Sequence, residues 1–358
     1  MELQTTLVSV SDLEALVMAA LGKCGLSEAD ARTTTDVLVS TDAFGVFTHG
    51  TKALRGYVRR LRGGGLKADA RPEIASEGPA WAIVDGHSAV GMVTSVFAMN
   101  AAITKAKATG MAYVGVRNSC HFGAAGYYAL MAAKAGMIGM AMANDIPSMA
   151  VPGARQPVLG TNPFAYAVPA GQEDPIFLDI ASSAVAGGKV RIYQALNQKV
   201  PDTWLVDQEG LPTTDPWLYP QSASLMPFAG HKGYGIAMMI ETLAGVLSGA
   251  AARWGVKSWI DDDPSWATQH GAAFLVIDVG QITPIQLFRE RVDAMIREIR
   301  ATPKAKGAER VYLPGEMEWQ RRREARTKGI ALPADVVDSL RGVAEDLGLT
   351  AAWLGDRT

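Results

Sequence analysis

The spacing of apolar residues shifts along the chain from helical to strand-like and back again. Leu13, Leu16, Val17, Ala20 and Leu21 recur at intervals of three and four, which places them on one helical face ending near Gly25. Ser11 with Glu14 has the capping-box spacing for this helix, and Ser27 with Asp30 opens a second. The pattern predicts a third helix over 42–62, carrying Arg55, Arg59, Arg60 and Arg62 and stopped by the glycine run 63–65. The middle of the chain reads differently. Short apolar or alternating runs bounded by Gly, Pro and Asn predict strands at 81–84, 111–116, 136–142, 164–168, 176–179 and 274–277. Helices are expected between some of them, at 90–109, 124–135 and 234–248. Past Pro284 the pattern predicts an amphipathic helix over 287–301, a basic stretch over 321–326 and a last helix over 334–347, entered through Pro333.

This order is that of an α/β (α+β) protein: a helical region over 1–70, a mixed-sheet region over 71–284 and a helical segment over 285–358. The chain has 358 residues, 48% hydrophobic and 20% charged, which suits a large globular core. Its formal net charge of −2 leaves no cationic excess to displace counterions from nucleic acid or to hold an anionic membrane, so neither partner is expected. Two cysteines, Cys24 and Cys120, suggest neither a disulfide framework nor a zinc site. Glu2 and Asp12 stand where a signal peptide needs positive charge and then an unbroken apolar run, and the apolar stretch 131–143 is interrupted by Lys134. Neither export nor insertion is expected, and the cytoplasm is the expected location. The acidic run 261–263, flanked by Trp259 and Trp266, reads as a solvated loop, and no metal site is expected.

A dinucleotide-binding Rossmann unit would show Gly-x-Gly-x-x-Gly between a strand and a helix. Neither GAAG at 123–126 nor GHKGYG at 230–235 has that spacing. Chemistry is carried by other residues. His49 lies in GVFTHG (45–50), with a hydroxyl before the imidazole and a glycine after it. His121 lies in RNSCHFG (117–123), at the end of a predicted strand, where ligands commonly bind in α/β proteins. An imidazole titrates near neutral pH and suits proton transfer, although a lone histidine is more often structural. On a continuous helix, positions 52, 55, 56 and 59 share a face with 48. Lys52 and Arg55 therefore form either a grip for a carboxylate or an ordinary solvated basic face. Lys232 precedes an apolar helix, a place suited to a phosphate, and the surrounding glycines equally suit a tight turn.

Six ordered blocks resemble the malate/L-lactate dehydrogenase family of the type without a Rossmann fold. They are residues 42–65 (DAFGVFTHGTKALRGYVRRLRGGG), 116–135 (VRNSCHFGAAGYYALMAAKA), 157–163 (PVLGTNP), 178–189 (LDIASSAVAGGK), 213–216 (TTDP) and 227–241 (PFAGHKGYGIAMMIE). The resemblance implies a mixed, largely antiparallel sheet domain that binds NAD or NADP, a helical region built from both chain ends, and a homodimer. It implies hydride transfer between that cofactor and a small 2-hydroxy or 2-keto acid. Carried over by position, Thr48 and His49 match the family's Ser-His, with His49 ranked first as acid/base; His121, Phe122 and Gly123 match a block given either catalytic or cofactor-binding roles. The implied cofactor contacts also include Asp179, Ile180, Ala181, His231, Lys232, Gly315 and Glu316, and Thr161 would face the substrate.

The chain departs from the family pattern at three positions. Ala53 stands where an arginine often holds the substrate carboxylate, leaving Lys52 or Arg55 for that task. Thr48 replaces serine, and Lys189 stands near the position of a relay aspartate, for which Asp145 is a candidate replacement. Two alternatives accompany the dehydrogenase reading: a reductase of a cyclic imine carboxylate, and a non-catalytic nicotinamide-binding relative.

Overall fold

The computed structural model describes residues 5–354; Glu2 lies outside them. Strand β1 (Thr5–Val8) leads into α1 (Val10–Lys23) and α2 (Glu28–Ala43). Ser9 caps α1, its Oγ accepting the Asp12 N–H at 3.0 Å, two residues ahead of the pair expected from Ser11. Ser27 caps α2 as expected. The third expected helix is broken. Gly45 adopts φ +81°, a conformation that ends a helix, and residues 44–50 form turns before a 3-10 turn at Thr51–Ala53 and α3 (Leu54–Gly63). The buried Asp42 closes this loop, accepting the Thr51 N–H at 3.0 Å and its hydroxyl at 2.5 Å. Thr48 and His49 consequently stand on a clamped turn, not on a helical face shared with Arg55 and Arg59.

The next elements are β2 (Glu73–Gly78), β3 (Trp81–Asp85), α4 (Gly91–Thr109), β4 (Met111–Ser119), α5 (Ala125–Lys134), β5 (Ile138–Ala143), β6 (Phe164–Val168) and β7 (Ile176–Ile180). Then follow α6 (Gly187–Ala195), β8 (Leu205–Asp207), β9 (Pro212–Thr213), β10 (Ala223–Leu225), α7 (His231–Ile240) and a π-helical turn over Glu241–Val246. The chain ends in β11 (His270–Ile277), α8 (Val279–Ile282), α9 (Ile285–Arg300), α10 (Glu316–Lys328), β12 (Ile330–Pro333) and α11 (Ala334–Leu347).

Seven strands form the main sheet in the order β2-β3-β4-β11-β5-β6-β7. Only β3 and β4 run parallel, joined by the crossover helix α4 that a parallel pair needs; the other pairings are antiparallel. Strand β11 lies between β4 and β5, with Phe274 and Val276 buried beside Val114 and Val116. Helix α4 covers β4 and β11, and α5 covers β5 and β6. The chain ends meet: β1 pairs antiparallel with β12, and α11 packs on α3 and α1.

The apolar runs located the core strands, but β4 and β11 continue past them. Arg117 to Ser119 and His270 to Gly271 are paired in the sheet although they break the apolar pattern. Those polar extensions deliver side chains to the site. Among the strands not expected from the sequence, the edge strand β2 is almost wholly exposed, so burial left no alternation to read.

Candidate active site

A cleft of about 1180 Å³ is lined by the Thr41–Ala53 region and α3 together with residues at or beyond the ends of β4, β5, β7 and β11. Thr48, His49, Lys52 and Arg55 line it from the helical part. The His121-Phe122-Gly123 turn, Thr161 and the Asp179-Ile180-Ala181 strand end line it from the sheet, with Gly315 beside them. Three expected contacts lie elsewhere. His231 and Lys232 are exposed in the first turn of α7, outside the cleft lining. Glu316 also lies outside it, buried and held by ion pairs to Arg300 and Arg310.

The two histidines come together, with ring centroids 5.5 Å apart. The Thr48 hydroxyl lies 2.8 Å from His49 Nδ1 and fixes that ring. Burial lowers the His49 pKa, and the Asp145 carboxylate opposes the effect. His121 is held differently. Its Nδ1 lies 2.5 Å from the Tyr57 hydroxyl and 3.5 Å from the Gly123 N–H. A backbone N–H can only donate, so Nδ1 is assigned as the acceptor of both and the ring proton as residing on Nε2. Burial, with His49 and His270 nearby, holds the His121 pKa well below the ordinary range. Tyr57 is raised well above its ordinary value, chiefly by burial, and remains a phenol.

Trp259 stacks on His121 at 4.2 Å and 13°, and on Tyr57 at 5.2 Å and 16°. Its loop is tied down from α3. Arg60, 1% exposed, donates to the carbonyls of Ser258 (2.6 Å), Trp259 (2.7 Å) and Trp266 (2.9 Å). The acidic run 261–263 is part of this loop, which Arg59 also holds through the Ile260 carbonyl. The sequence offered no signal for Tyr57 or Trp259. Arg60 was indistinguishable from the three neighbouring arginines, whose spacing suggested one solvated face.

On the far side, Asp145 Oδ1 lies 3.1 Å from His270 Nε2. Buried Glu241, in the π-helical turn, accepts from the Asn162 amide at 2.8 Å and the Arg253 N–H at 2.8 Å. Asn162 in turn accepts the Asp145 N–H at 3.1 Å. A π-turn at a functional site fits this use: it supports the loops that carry Asp145 and Thr161. Lys52 is engaged by Asp335 at 2.5 Å, whereas the Arg55 guanidinium lies against Gly342 of α11, and Arg55 is among the residues lining the cleft. Arg191, exposed on α6, is a further cation in the lining that the sequence did not single out.

The cleft has room and donors for an extended dinucleotide. Its volume exceeds the roughly 300–1,000 Å³ of drug-sized sites. Glycines at 123, 126, 187, 188 and 315 bring bare backbone to its walls, and the Asp179 carboxylate accepts the Gly126 N–H at 2.7 Å at the start of α5. Burial raises the Asp179 pKa to about 6, with Glu318 adding to the rise.

Comparison with known proteins agrees with this architecture. The malate/(S)-sulfolactate dehydrogenase of Methanothermus fervidus is 36% identical, covering 97% of this chain and 100% of that protein. The ureidoglycolate dehydrogenase (NAD(+)) of Escherichia coli K12 is 34% identical, covering 93% of this chain and 94% of the relative. The solved malate dehydrogenase from Pyrococcus horikoshii OT3 superposes with a TM-score of 0.88 at 34% identity, over 97% of each chain. The family profile described as malate/L-lactate dehydrogenase matches residues 8–341, and the chain is a dehydrogenase belonging to that family.

Proposed function

We propose that this chain moves a hydride between NAD or NADP and a small 2-hydroxy or 2-keto acid, with His49 as the acid/base. The observation that carries the reading is the pair of half-buried imidazoles in one cleft, tethered so differently that they suit different tasks. A bound nicotinamide supplies or accepts the hydride. In reduction the acid gains that hydride at its carbonyl carbon and a proton at oxygen; in oxidation it loses both. When His49 Nδ1–H donates to the Thr48 oxygen, Nε2 is left to give or take the substrate proton. His121 suits the other task. Held neutral, with its proton on Nε2, it offers a hydrogen bond to the same oxygen without carrying charge.

Arg55 is proposed to hold the substrate carboxylate, with Lys52 contributing through the charge it shares with Asp335. Thr161 faces the acid, and Phe122, Gly123, Asp179, Ile180, Ala181 and Gly315 hold the dinucleotide. The cofactor domain is proposed to be a non-Rossmann unit, supported by a sheet with one parallel pairing and by the absent glycine fingerprint. We divide the chain into 71–284 as that domain, with 1–70 and 285–358 as the helical part. His231, Lys232 and Glu316 keep no proposed contact within this chain. A homodimer is supported by the apolar side chains exposed along α7, its π-turn and the residue that follows, including Met238, Met239, Val246 and Leu247. No helix among the described residues is long and apolar enough to cross a membrane. We propose a cytoplasmic location, in keeping with free Cys24 and Cys120.

The test is a screen of pyruvate, oxaloacetate, ureidoglycolate, sulfolactate and piperideine-2-carboxylate with each cofactor. Turnover of a 2-keto or 2-hydroxy acid is the expected result. His49→Ala should then lower kcat by a factor on the order of 10² to 10⁴ while NADH or NADPH still binds. Turnover of the cyclic imine alone would transfer the chemistry to an imine nitrogen. Cofactor binding without turnover of any of these would remove the catalytic reading.

A further inference from the structure

We infer that Arg191 selects the substrate by its tail: it receives a second anionic group at the far end of a short 2-keto acid, so the cleft takes a dianion in preference to a monoanion. This rests on the proposed function and extends it to the substrate class.

Besides the imidazoles, the cationic side chains lining the cleft among the described residues are Lys52, Arg55, Arg59 and Arg191. The first and third are already engaged. Lys52 is paired with Asp335, and Arg59 donates to the carbonyls of Ile260 (2.7 Å) and Asp262 (3.2 Å). Arg55 and Arg191 make no hydrogen bond or ion pair among the described residues. One guanidinium suffices for the carboxylate that every 2-keto acid carries, and Arg55 is proposed for that task. A second bare guanidinium in the same cleft calls for a second anion, and its planar fork matches a carboxylate or a sulfonate.

The two arginines stand on different walls. Arg55 belongs to α3, which packs on α11. Arg191 belongs to α6, whose Val190 is buried with Val200, Leu205 and Leu225 in a small core around β8 and β10, apart from the core of the main sheet. Helix α6 is seated on the His49 turn: a Cβ on Gly188 would stand 2.9 Å from Thr48 Cγ2. Positions 187, 188 and 191 share one helical face, and all three line the cleft. A carbonyl presented to His49 therefore has Arg55 on one wall and, on the other, Arg191 about one helical turn from the contact with Thr48.

Other polar groups of this lobe are bare as well. The Tyr219 hydroxyl lies against Gly187, lines the cleft and has no hydrogen-bond partner among the described residues. Burial raises its pKa, which Arg191 opposes, so it stays a phenol able to donate. Ser148 also lines the cleft, with its Oγ buried and unpartnered, and its carbonyl accepts the Leu225 N–H at 3.0 Å. A charge and two hydroxyls suit an anionic tail; the methyl group of pyruvate would leave them unanswered.

The test compares oxaloacetate, 3-sulfopyruvate and pyruvate in the parent, Arg191→Met and Arg191→Lys. Arg191 is exposed, so these variants should fold, and matched melting temperatures check it. In the parent, kcat/KM should be higher for at least one dianion than for pyruvate, and that dianion identifies the tail as carboxylate or sulfonate. In Arg191→Met the ratio of its kcat/KM to that of pyruvate should fall roughly 10- to 100-fold, mainly through KM, and Arg191→Lys should recover part of the loss. An unchanged ratio would overturn the assignment; equal losses on both substrates would place Arg191 on the shared carboxylate. Weaker binding of NADH or NADPH to Arg191→Met would overturn it too, by placing the guanidinium on the dinucleotide. A parent that reduces none of the three acids would overturn the proposed function. Calorimetric titration with malate and lactate in the presence of NAD or NADP then decides the role of Arg191 alone: malate binding weakened selectively in Arg191→Met upholds it, and no such difference overturns it.

Discussion

Asp42 shows how one side chain settles the geometry of the turn that carries His49 and what that costs. It is 1% exposed, and its Oδ2 accepts two bonds from Thr51 while Oδ1 has no partner. A Cβ on Gly50 would overlap this carboxylate, so the residue after His49 has to be glycine for the turn to close. Burial raises the Asp42 pKa from 3.8 to about 7 against the opposing Thr51 bonds. The folded chain therefore holds a proton that the unfolded chain has released. The stability this proton confers is complete below about pH 4, falls as pH rises and is lost above about pH 7. In Asp42→Asn an amide oxygen still accepts from Thr51 and nothing titrates. Its melting temperature should vary less between pH 5 and 8 than that of the parent, by a few degrees, and parallel curves would refute the argument. The sequence displayed the glycine and the histidine of this turn. The buried acid seven residues before His49 carried no mark, because burial depends on the fold and not on local spacing.

Helix α3 shows why a readable element can hide its function. The run Arg55, Arg59, Arg60 and Arg62 is compatible with a solvated face, and only the packing of the 258–266 loop separates Arg60 from the rest. Gly56 leaves room for the Trp259 ring, Tyr57 carries His121, and Arg60 binds the loop carbonyls, so one helix seats the indole on the imidazole. Exchanging Arg60 for Met removes several charge-assisted bonds and strands the carbonyls they satisfied. It should cost roughly 3 kcal/mol in urea unfolding and lower kcat by releasing Trp259. Arg59→Ala, on the exposed side of the same helix, should cost about 1 kcal/mol or less. Equal losses in the two variants would mean that the Arg60 bonds are not what holds the loop. The same limit applied to the strands. Apolar runs marked the buried segments of β4 and β11, while the polar ends that carry Ser119 and His270 lay outside any periodic signal.

At the scale of the whole molecule, local pattern could indicate an α/β chain with helical ends but not the sheet order, since periodicity reports what a residue is buried against and not which strand lies beside it. The insertion of β11 between β4 and β5 is the step that brings His270 to Asp145 and His121, more than a hundred residues away in sequence. The family resemblance named candidate residues where periodicity named none, among them His231, Lys232 and Glu316, which stand outside this cleft. The cleft is walled by the helical part on one side and by sheet ends on the other, so a ligand that fills it binds only the folded arrangement of both. A cofactor at one hundred times its Kd then adds about 2.7 kcal/mol to stability. For a chain of this size that corresponds to a rise of roughly 3 to 4 °C in melting temperature. NADH and NADPH should be compared at equal concentration, in the parent and in His49→Ala. The cognate cofactor should raise the melting temperature in both proteins, because His49 is assigned to the substrate proton and not to the dinucleotide. A shift that disappears in His49→Ala would move that histidine into the cofactor site, and no shift with either cofactor would leave the cleft without its proposed occupant.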